Sequence, residues 1–466
     1  MQALRAALGE TQVLTAGDLS AWEVDWRKRY RGRALAVARP GSTAEVAAVL
    51  RACAAHGAGV VPQGGNTGLV GASVPDASGT QVLLSLARLN RIREIDGANL
   101  TLTAEAGCVL QTVQEAAAAQ GLLFPLSLAA EGSCTIGGNL ATNAGGTQVL
   151  RFGNARELCL GLEVVTPDGQ IWHGLSGLRK DNTGYALRDL YIGSEGTLGV
   201  ITAATLKLWP RPAAVTTALA SCASLADAVA LLELARARLG AGLTGFEVMG
   251  EFALALVGQH FPQLRRPLAP NAAAPWTVLL EQSDNESEAH ARALFEGLLE
   301  AAIDRGCVAD AAVAESVAQS HAMWHLRESI PLAQAEEGPN VKHDIALPVS
   351  RIPAFVAATD AALLRAFPGV RLVDFGHLGD GNLHYNVQAP LGVAAADFLR
   401  EHEAAVNTIV YDAVLAHGGS ISAEHGIGAL RREELVRRKQ PLALDLMRAI
   451  KTALDPDGRM NPGRVL

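Results

Sequence analysis

A chain of 466 residues exceeds what one hydrophobic core supports and points to two or three domains. With 49% hydrophobic and 18% charged residues it is an ordered globular protein, and a net charge of -8 argues against nucleic acid, whose phosphates need a basic face. The six scattered cysteines form no CxxC pair, which argues against a thiolate-held zinc or iron–sulfur cluster and fits reduced thiols in the cytoplasm.

Residues 1–35 read as a short helical leader without the basic-then-apolar pattern of a targeting peptide, and no run approaches the roughly 18–20 apolar residues of a membrane span. Ser42 followed by Glu45 is a capping box that opens a helix to about residue 56. A short strand follows near 57–61. From there to about residue 208, short apolar strands, Gly-rich turns and an Ala-rich helix over 109–120 make an α+β arrangement instead of a regular βαβ series. Trp209-Pro210-Arg211-Pro212 reads as a linker. Beyond it the pattern predicts an amphipathic helix over 225–239, a strand over 276–281 and a long helix over 286–305. Strands over 371–375 and 383–387 flank a Gly-Asp-Gly turn. A helix over 397–417 is stopped by Gly418-Gly419, and the tail from Leu430 is charged and helical.

Three glycine-rich loops stand out. The first is Pro62-Gln63-Gly64-Gly65-Asn66-Thr67-Gly68-Leu69-Val70-Gly71. The second runs Glu131-Gly132-Ser133-Cys134-Thr135-Ile136-Gly137-Gly138-Asn139 and on to Thr142-Asn143-Ala144-Gly145-Gly146. The third is Ile192-Gly193-Ser194-Glu195-Gly196-Thr197-Leu198-Gly199-Val200-Ile201. Glycine lets a backbone approach a phosphate and turn its N–H groups inward. One such loop is as readily a tight turn; three within one half of a chain favour a dinucleotide. Neither GxGxxG at a strand-to-helix turn nor GxxxxGK[ST] is present, so neither a Rossmann unit nor a P-loop is expected.

The second half carries His377-Leu378-Gly379-Asp380-Gly381-Asn382-Leu383-His384 and, forty residues on, Glu424-His425. Two imidazoles and a carboxylate, His377, His384 and Glu424, are a set that a divalent metal accepts. His425 beside them is suited to moving a proton. Zinc fits the set best, with manganese, cobalt or iron as alternatives. Asp380, between glycines, reads as a turn residue. His321, His325, His343 and His402 read as structural.

The order of these loops, with Lys180-Asp181-Asn182-Thr183-Gly184-Tyr185, resembles the FAD-binding domain of the vanillyl-alcohol oxidase/p-cresol methylhydroxylase superfamily. Within it, HLGDGNLH with SAEHG resembles the FAD-linked D-2-hydroxy-acid dehydrogenases from Asp25-Trp26 to Asn461-Pro462-Gly463. The resemblance implies an α+β protein with a two-subdomain FAD-binding domain over 1–210, comprising the leader 1–35 and an FAD core 36–210. A ferredoxin-like α+β substrate and metal domain would cover 211–425, and C-terminal helices over 426–466 would pack back on the FAD domain. It implies that the three loops and Asn461 hold FAD, without a covalent tether because Gln63 and Asn66 stand where some relatives have His or Cys. It implies oxidation of a small D-2-hydroxy acid, D-2-hydroxyglutarate or D-lactate, with Arg327, Lys342 and Asn386 on the substrate. For Arg327 the alternative is a surface ion pair with Glu328 or Glu336; without the resemblance, Lys342 is as well explained as a solvated lysine. Pro331 departs from the D-2-hydroxyglutarate pattern, which has a hydroxyl there. A separate electron acceptor is implied (an electron-transfer flavoprotein, a quinone or a partner subunit), with a homodimer as the family-level expectation. The alternatives are a flavin-carrying accessory subunit and a redox-neutral or oxidase member of the superfamily.

Overall fold

The computed structural model describes residues 1–466, which separate into two compact units. One comprises residues 1–145, 153–211 and 424–466; the other comprises 146–152 and 212–423.

In the first unit, strands β1 (Val13–Leu14), β2 (Ala34–Ala38), β3 (Val60–Gln63) and β4 (Gln81–Ser85) form a sheet in the order β1-β2-β4-β3. Its inner pairs are parallel and β1 is antiparallel. All five residues of β4 are buried, as a strand covered on both faces requires. The helix Thr43–Ala55 makes the crossover from β2 to β3. Ser42 caps it, accepting from the Glu45 backbone N–H at 3.2 Å, while the Glu45 carboxylate reaches back to the Gly41 N–H at 2.7 Å. The leader is less helical than expected. After Gln2–Leu8 it pairs as β1 with Val37 and Ala38, because its apolar pair finds an open sheet edge.

Next come β5 (Ile92–Asp96), β6 (Thr101–Glu105), β7 (Leu122–Leu123), β8 (Cys159–Val165), β9 (Ile171–Gly174), β10 (Val200–Lys207) and β11 (Trp209–Pro210). Five of them make an antiparallel sheet in the order β5-β6-β10-β8-β9. The boundary between the units falls within the expected linker Trp209-Pro210-Arg211-Pro212, after Arg211, and its first two residues also pair as β11 with β7; a two-residue edge strand tolerates proline.

The second unit is built on β12 (Ala214–Cys222), β13 (Leu243–Gly250), β14 (Trp276–Asp284), β15 (Asp310–Val313), β16 (Val341–Ala346), β17 (Arg371–Gly376) and β18 (Asn382–Gln388). They form one antiparallel sheet in the order β15-β12-β14-β13-β17-β18-β16. Side chains alternate between its faces. Phe246, Val248, Leu280, Tyr385 and Val387 pack with the helices Leu225–Leu239, Glu288–Asp304, Ile352–Ala366 and Ala395–Ala416. Leu219, Met249, Leu279, Val373 and Phe375 pack with Glu251–His260, Val317–Glu328 and Ile330–Glu336. Glu247 and Glu281 stand two residues from Met249 and Leu279, so they share this second face. Lys342 and Asn386 lie in register with Val373, and Asp344 and His384 with Phe375, so they share it too. The sheet thus collects polar groups on one side.

All six cysteines are free and buried. Burial pushes the thiols of Cys53, Cys108 and Cys134 up to about 11 and those of Cys159 and Cys222 up to about 12. The thiolate is the reactive form. A thiol reagent near neutral pH is therefore expected to label none rapidly in the native protein and all six after unfolding; a fast-reacting native thiol would contradict the packing.

Candidate active site

A cleft in the first unit is lined by Pro62, Gln63 and Gly64 at the end of β3, by Gly137, Gly138, Ala141 and Thr142 of the helix Ile136–Thr142, and by Ser194, Glu195, Gly196, Gly199, Val200 and Ile201. Its shape depends on loops that touch backbone to backbone. A Cβ on Gly64 would sit 2.3 Å from Thr135 Oγ1, and one on Gly65 would sit 2.0 Å from the Ser133 carbonyl oxygen. Gly65→Ala is therefore expected to force the loops apart at a cost of about 1–3 kcal/mol. The purified variant should show a lower melting temperature and less bound flavin; a wild-type melting temperature would refute the contact.

The first loop is also clamped by the leader. Asn66, at φ 53°, donates to the carbonyls of Val24 (2.8 Å) and Ala21 (3.3 Å) and accepts from Ser73 Oγ (2.8 Å). Gln63 Nε2 donates to the carbonyls of Trp22 (2.9 Å) and Ser73 (2.8 Å). From the chain's far end, Asn461 Nδ2 donates to the carbonyls of Glu195 (2.7 Å) and Ala72 (3.0 Å). Burial pushes the Glu195 carboxyl pKa up, while its oxygens accept the N–H groups of Ile427 (2.7 Å) and Gly428 (2.8 Å).

Of the residues expected at a flavin, Pro62, Gln63, Gly64, Gly137, Gly138, Glu195, Gly196, Gly199 and Ile201 line the cleft. Gly65, Asn66, Thr67, Gly68, Gly132, Ser133, Thr135, Ile136, Asn139, Asn143, Gly145 and Asn461 lie outside that lining, and Gly146 falls in the other unit. Thr142 and Ser194, from the same loops, line it too, and Ala72, Ser73, Leu86 and Ala141 line it without having been singled out, since nothing in their chemistry marks them. The glycine cradle fits a dinucleotide, whose phosphates need close approach to bare backbone.

In the second unit the polar face centres on Glu247 of β13, fully buried. One carboxylate oxygen accepts from Arg327 Nε at 2.7 Å, and the other lies 2.6 Å from His377 Nδ1. Burial alone would raise its pKa, but the charges and hydrogen bonds of His377 and Arg327 outweigh that and hold it at about 2. The ion pair of Arg327 is with this buried acid, not with Glu328 or Glu336. The Arg327 side chain is itself buried in the helix Val317–Glu328, with its guanidinium 4.8 Å from the Phe375 ring centre. Its Nη1 and Nη2 make no hydrogen bond within the chain.

His384 lies tilted against Phe375 with ring centres 4.9 Å apart, and stands 5.5 Å from His377 between ring centres. His384 stands opposite Asp344 in the β16–β18 ladder of the second unit, and His377 stands against Glu247. Glu424 and His425, the other residues expected at the cation, belong to the first unit. Asp344 was not singled out in the sequence. Its oxygens accept from Asn382 Nδ2 (2.9 Å) and from the Ala423 backbone N–H (3.2 Å), just ahead of Glu424.

Asn386 Nδ2 donates to Gln334 Oε1 at 2.9 Å, and Asn386 Oδ1 accepts the His343 N–H at 3.1 Å; Lys342 stands opposite it in the ladder. Pro331 occupies the first turn of the helix Ile330–Glu336, where its missing N–H costs little. Asp380 is exposed and accepts the Asn382 N–H at 3.1 Å, a turn role. His343 is bonded to the Tyr385 carbonyl and Asn407 and is structural.

A family model described as FAD linked oxidases, C-terminal domain, matches residues 211–465, and one described as FAD binding domain matches 34–174. A D-2-hydroxyglutarate dehydrogenase of Xanthomonas citri is 41% identical over 451 residues, covering 96% of this chain and 92% of that protein. The chain belongs to the FAD-linked D-2-hydroxy-acid dehydrogenase family. A second relative, the mitochondrial D-2-hydroxyglutarate dehydrogenase of Rattus norvegicus, is 40% identical over 96% of this chain and 81% of its own length. The fold is that of p-cresol methylhydroxylase, whose structure matches with a TM-score of 0.77 at 16% identity over 100% of this chain and 95% of that one. An alkyldihydroxyacetonephosphate synthase structure matches at 0.73 and 15%, covering 99% and 84%.

Proposed function

We propose that this family member oxidises D-2-hydroxyglutarate, or a closely related D-2-hydroxy acid, to the 2-oxo acid. The observation that carries this is Arg327: a buried guanidinium anchored through Nε, with two further nitrogens unbonded, on the sheet face that also bears Lys342, His384 and Asn386. A planar fork of that kind matches a carboxylate. The relatives' names supply the substrate.

When bound, FAD would supply the acceptor for the C2 hydride, and a divalent cation would supply the charge that acidifies the C2 hydroxyl. Arg327 binds one substrate carboxylate, with Lys342 and Asn386 on its polar groups. His377, His384 and Glu424 would hold the cation, with Asp344 as a further candidate; zinc suits this mixed set, as manganese, cobalt or iron also would. His425 takes the hydroxyl proton. Pro62–Gly64, Gly137, Gly138 and Glu195–Ile201 would hold the flavin without a covalent tether. Six buried, unpaired cysteines support a reducing compartment such as the cytoplasm. No helix is long and apolar enough to cross a membrane. Electrons leave to a separate acceptor.

The test is anaerobic. The metal-analysed, flavin-loaded protein is mixed with D- and L-2-hydroxyglutarate, D- and L-lactate, D-malate and glycolate while flavin absorbance is followed. Stereoselective bleaching by D-2-hydroxyglutarate, lost with a chelator, is expected. No bleaching by any acid would overturn the proposal and favour an accessory subunit.

A further inference from the structure

Glu247 has no place in the chemistry above, yet its carboxylate is fully buried on the polar face. It stands in Gly245-Phe246-Glu247-Val248-Met249, where its neighbours are apolar. A buried carboxylate is costly unless fully paired. Here each of its oxygens meets a different partner, Arg327 Nε at 2.7 Å and His377 Nδ1 at 2.6 Å. Neither partner is adjacent in sequence, and both are buried.

We propose that Glu247 is a positioning residue that sets two parts of the site at once. The inference rests on the proposed reading of Arg327 and His377. One oxygen fixes the Nε edge of the guanidinium, which leaves Nη1 and Nη2 to present the fork that a carboxylate needs. The other oxygen requires a proton on His377 Nδ1, so that Nε2 is the nitrogen able to ligate a cation. Carboxylate–imidazole pairs of this kind orient metal-binding histidines, and their loss typically weakens metal binding by about 10–100-fold. A single rigid carboxylate therefore links the grip on the substrate acid to the grip on the cation.

Glu247→Gln separates this from mere packing. The amide keeps the shape but has one acceptor oxygen, and its NH2 must face either Arg327 Nε–H or His377 Nδ1. Facing the histidine, it turns Nδ1 into the acceptor and puts the ring proton on Nε2. Zinc affinity, read by chelator competition on the flavin-loaded protein, is expected to fall about 10–100-fold. KM for D-2-hydroxyglutarate is expected to rise by a comparable factor while flavin content stays at the wild-type level. Glu281→Gln is the control. Glu281 is a buried acid on the same sheet face, bonded to Trp324 Nε1 and Thr217 and not to Arg327 or His377. It should leave zinc affinity and KM unchanged. If Glu247→Gln does not fold, Glu247→Asp is measured instead; its shorter arm reaches one partner only, so one of the two readouts should fail alone. Zinc affinity and KM both at wild-type level in either variant would overturn the proposal. Should the wild-type protein be bleached by no D-2-hydroxy acid, the functional reading fails first, and the zinc measurement still decides whether Glu247 orients His377.

Discussion

Arg327→Met is expected to lower kcat/KM for D-2-hydroxyglutarate by at least about 10²-fold, because two charge-assisted hydrogen bonds at about 1.5–3 kcal/mol each disappear from the bound acid. The same change strands Glu247, fully buried, without its guanidinium. Breaking a buried pair from one side costs about 3–5 kcal/mol. Arg327→Met should therefore also be markedly less stable in thermal unfolding. The two effects part company in Arg327→Lys, which keeps a positive charge for Glu247 but lacks the fork. It should recover most of the stability and little of the activity. A lysine variant with wild-type kcat/KM would show that Arg327 serves the fold alone. The pH dependence has a definite sign. Glu247 in the folded protein is held at about 2, below its ordinary 4.5, so its contribution to stability is present above the ordinary value and is lost as the pH falls toward 2. Removing Arg327 takes away part of what holds the carboxyl down, and the acid unfolding midpoint should move to higher pH.

His425→Asn is expected to slow flavin reduction by about 10²–10⁴-fold, the usual weight of a general base, while flavin content is unchanged. Stopped-flow reduction and metal analysis must be made on the same preparation. His425 Nε2 lies 3.8 Å from Oε1 of Glu424, an expected ligand, so its position alone admits ligation as well as proton transfer. Slow reduction at full metal content assigns it as the base. A loss of metal in step with activity would make it a ligand and move the proton elsewhere.

Much of this architecture was written locally. Ser42 and Glu45 announced the helix Thr43–Ala55, and the alternation around Gly379-Asp380-Gly381 announced the β17–β18 hairpin that carries His384 and Asn386. These signals were legible because capping and side-chain alternation act over a few residues. Glu247 and Asp344 were not. Each is one acid in an ordinary strand, and its meaning comes from partners far away in the chain: Arg327 and His377 for one, Asn382 and Ala423 for the other. The glycine loops were half legible. Their backbones do shape a cleft, but Gly64 and Gly65 are also glycine because residues 133–135 press against them, and sequence spacing looks the same for both causes. Val13–Leu14 was misjudged for a related reason, since pairing at a sheet edge depends on which strand is left open there.

The last turn of the chain has a bearing on cofactor retention. Met460 bridges to Val60, the Asn461 backbone N–H donates to the Val60 carbonyl at 2.8 Å, and its side chain ties the carbonyls of Ala72 and Glu195 together. The strand and loops that line the cleft are thus fastened by residues more than two hundred and fifty positions after Glu195 in the chain. A polypeptide truncated before Asn461 loses these ties, and it is expected to purify with less flavin than the full chain.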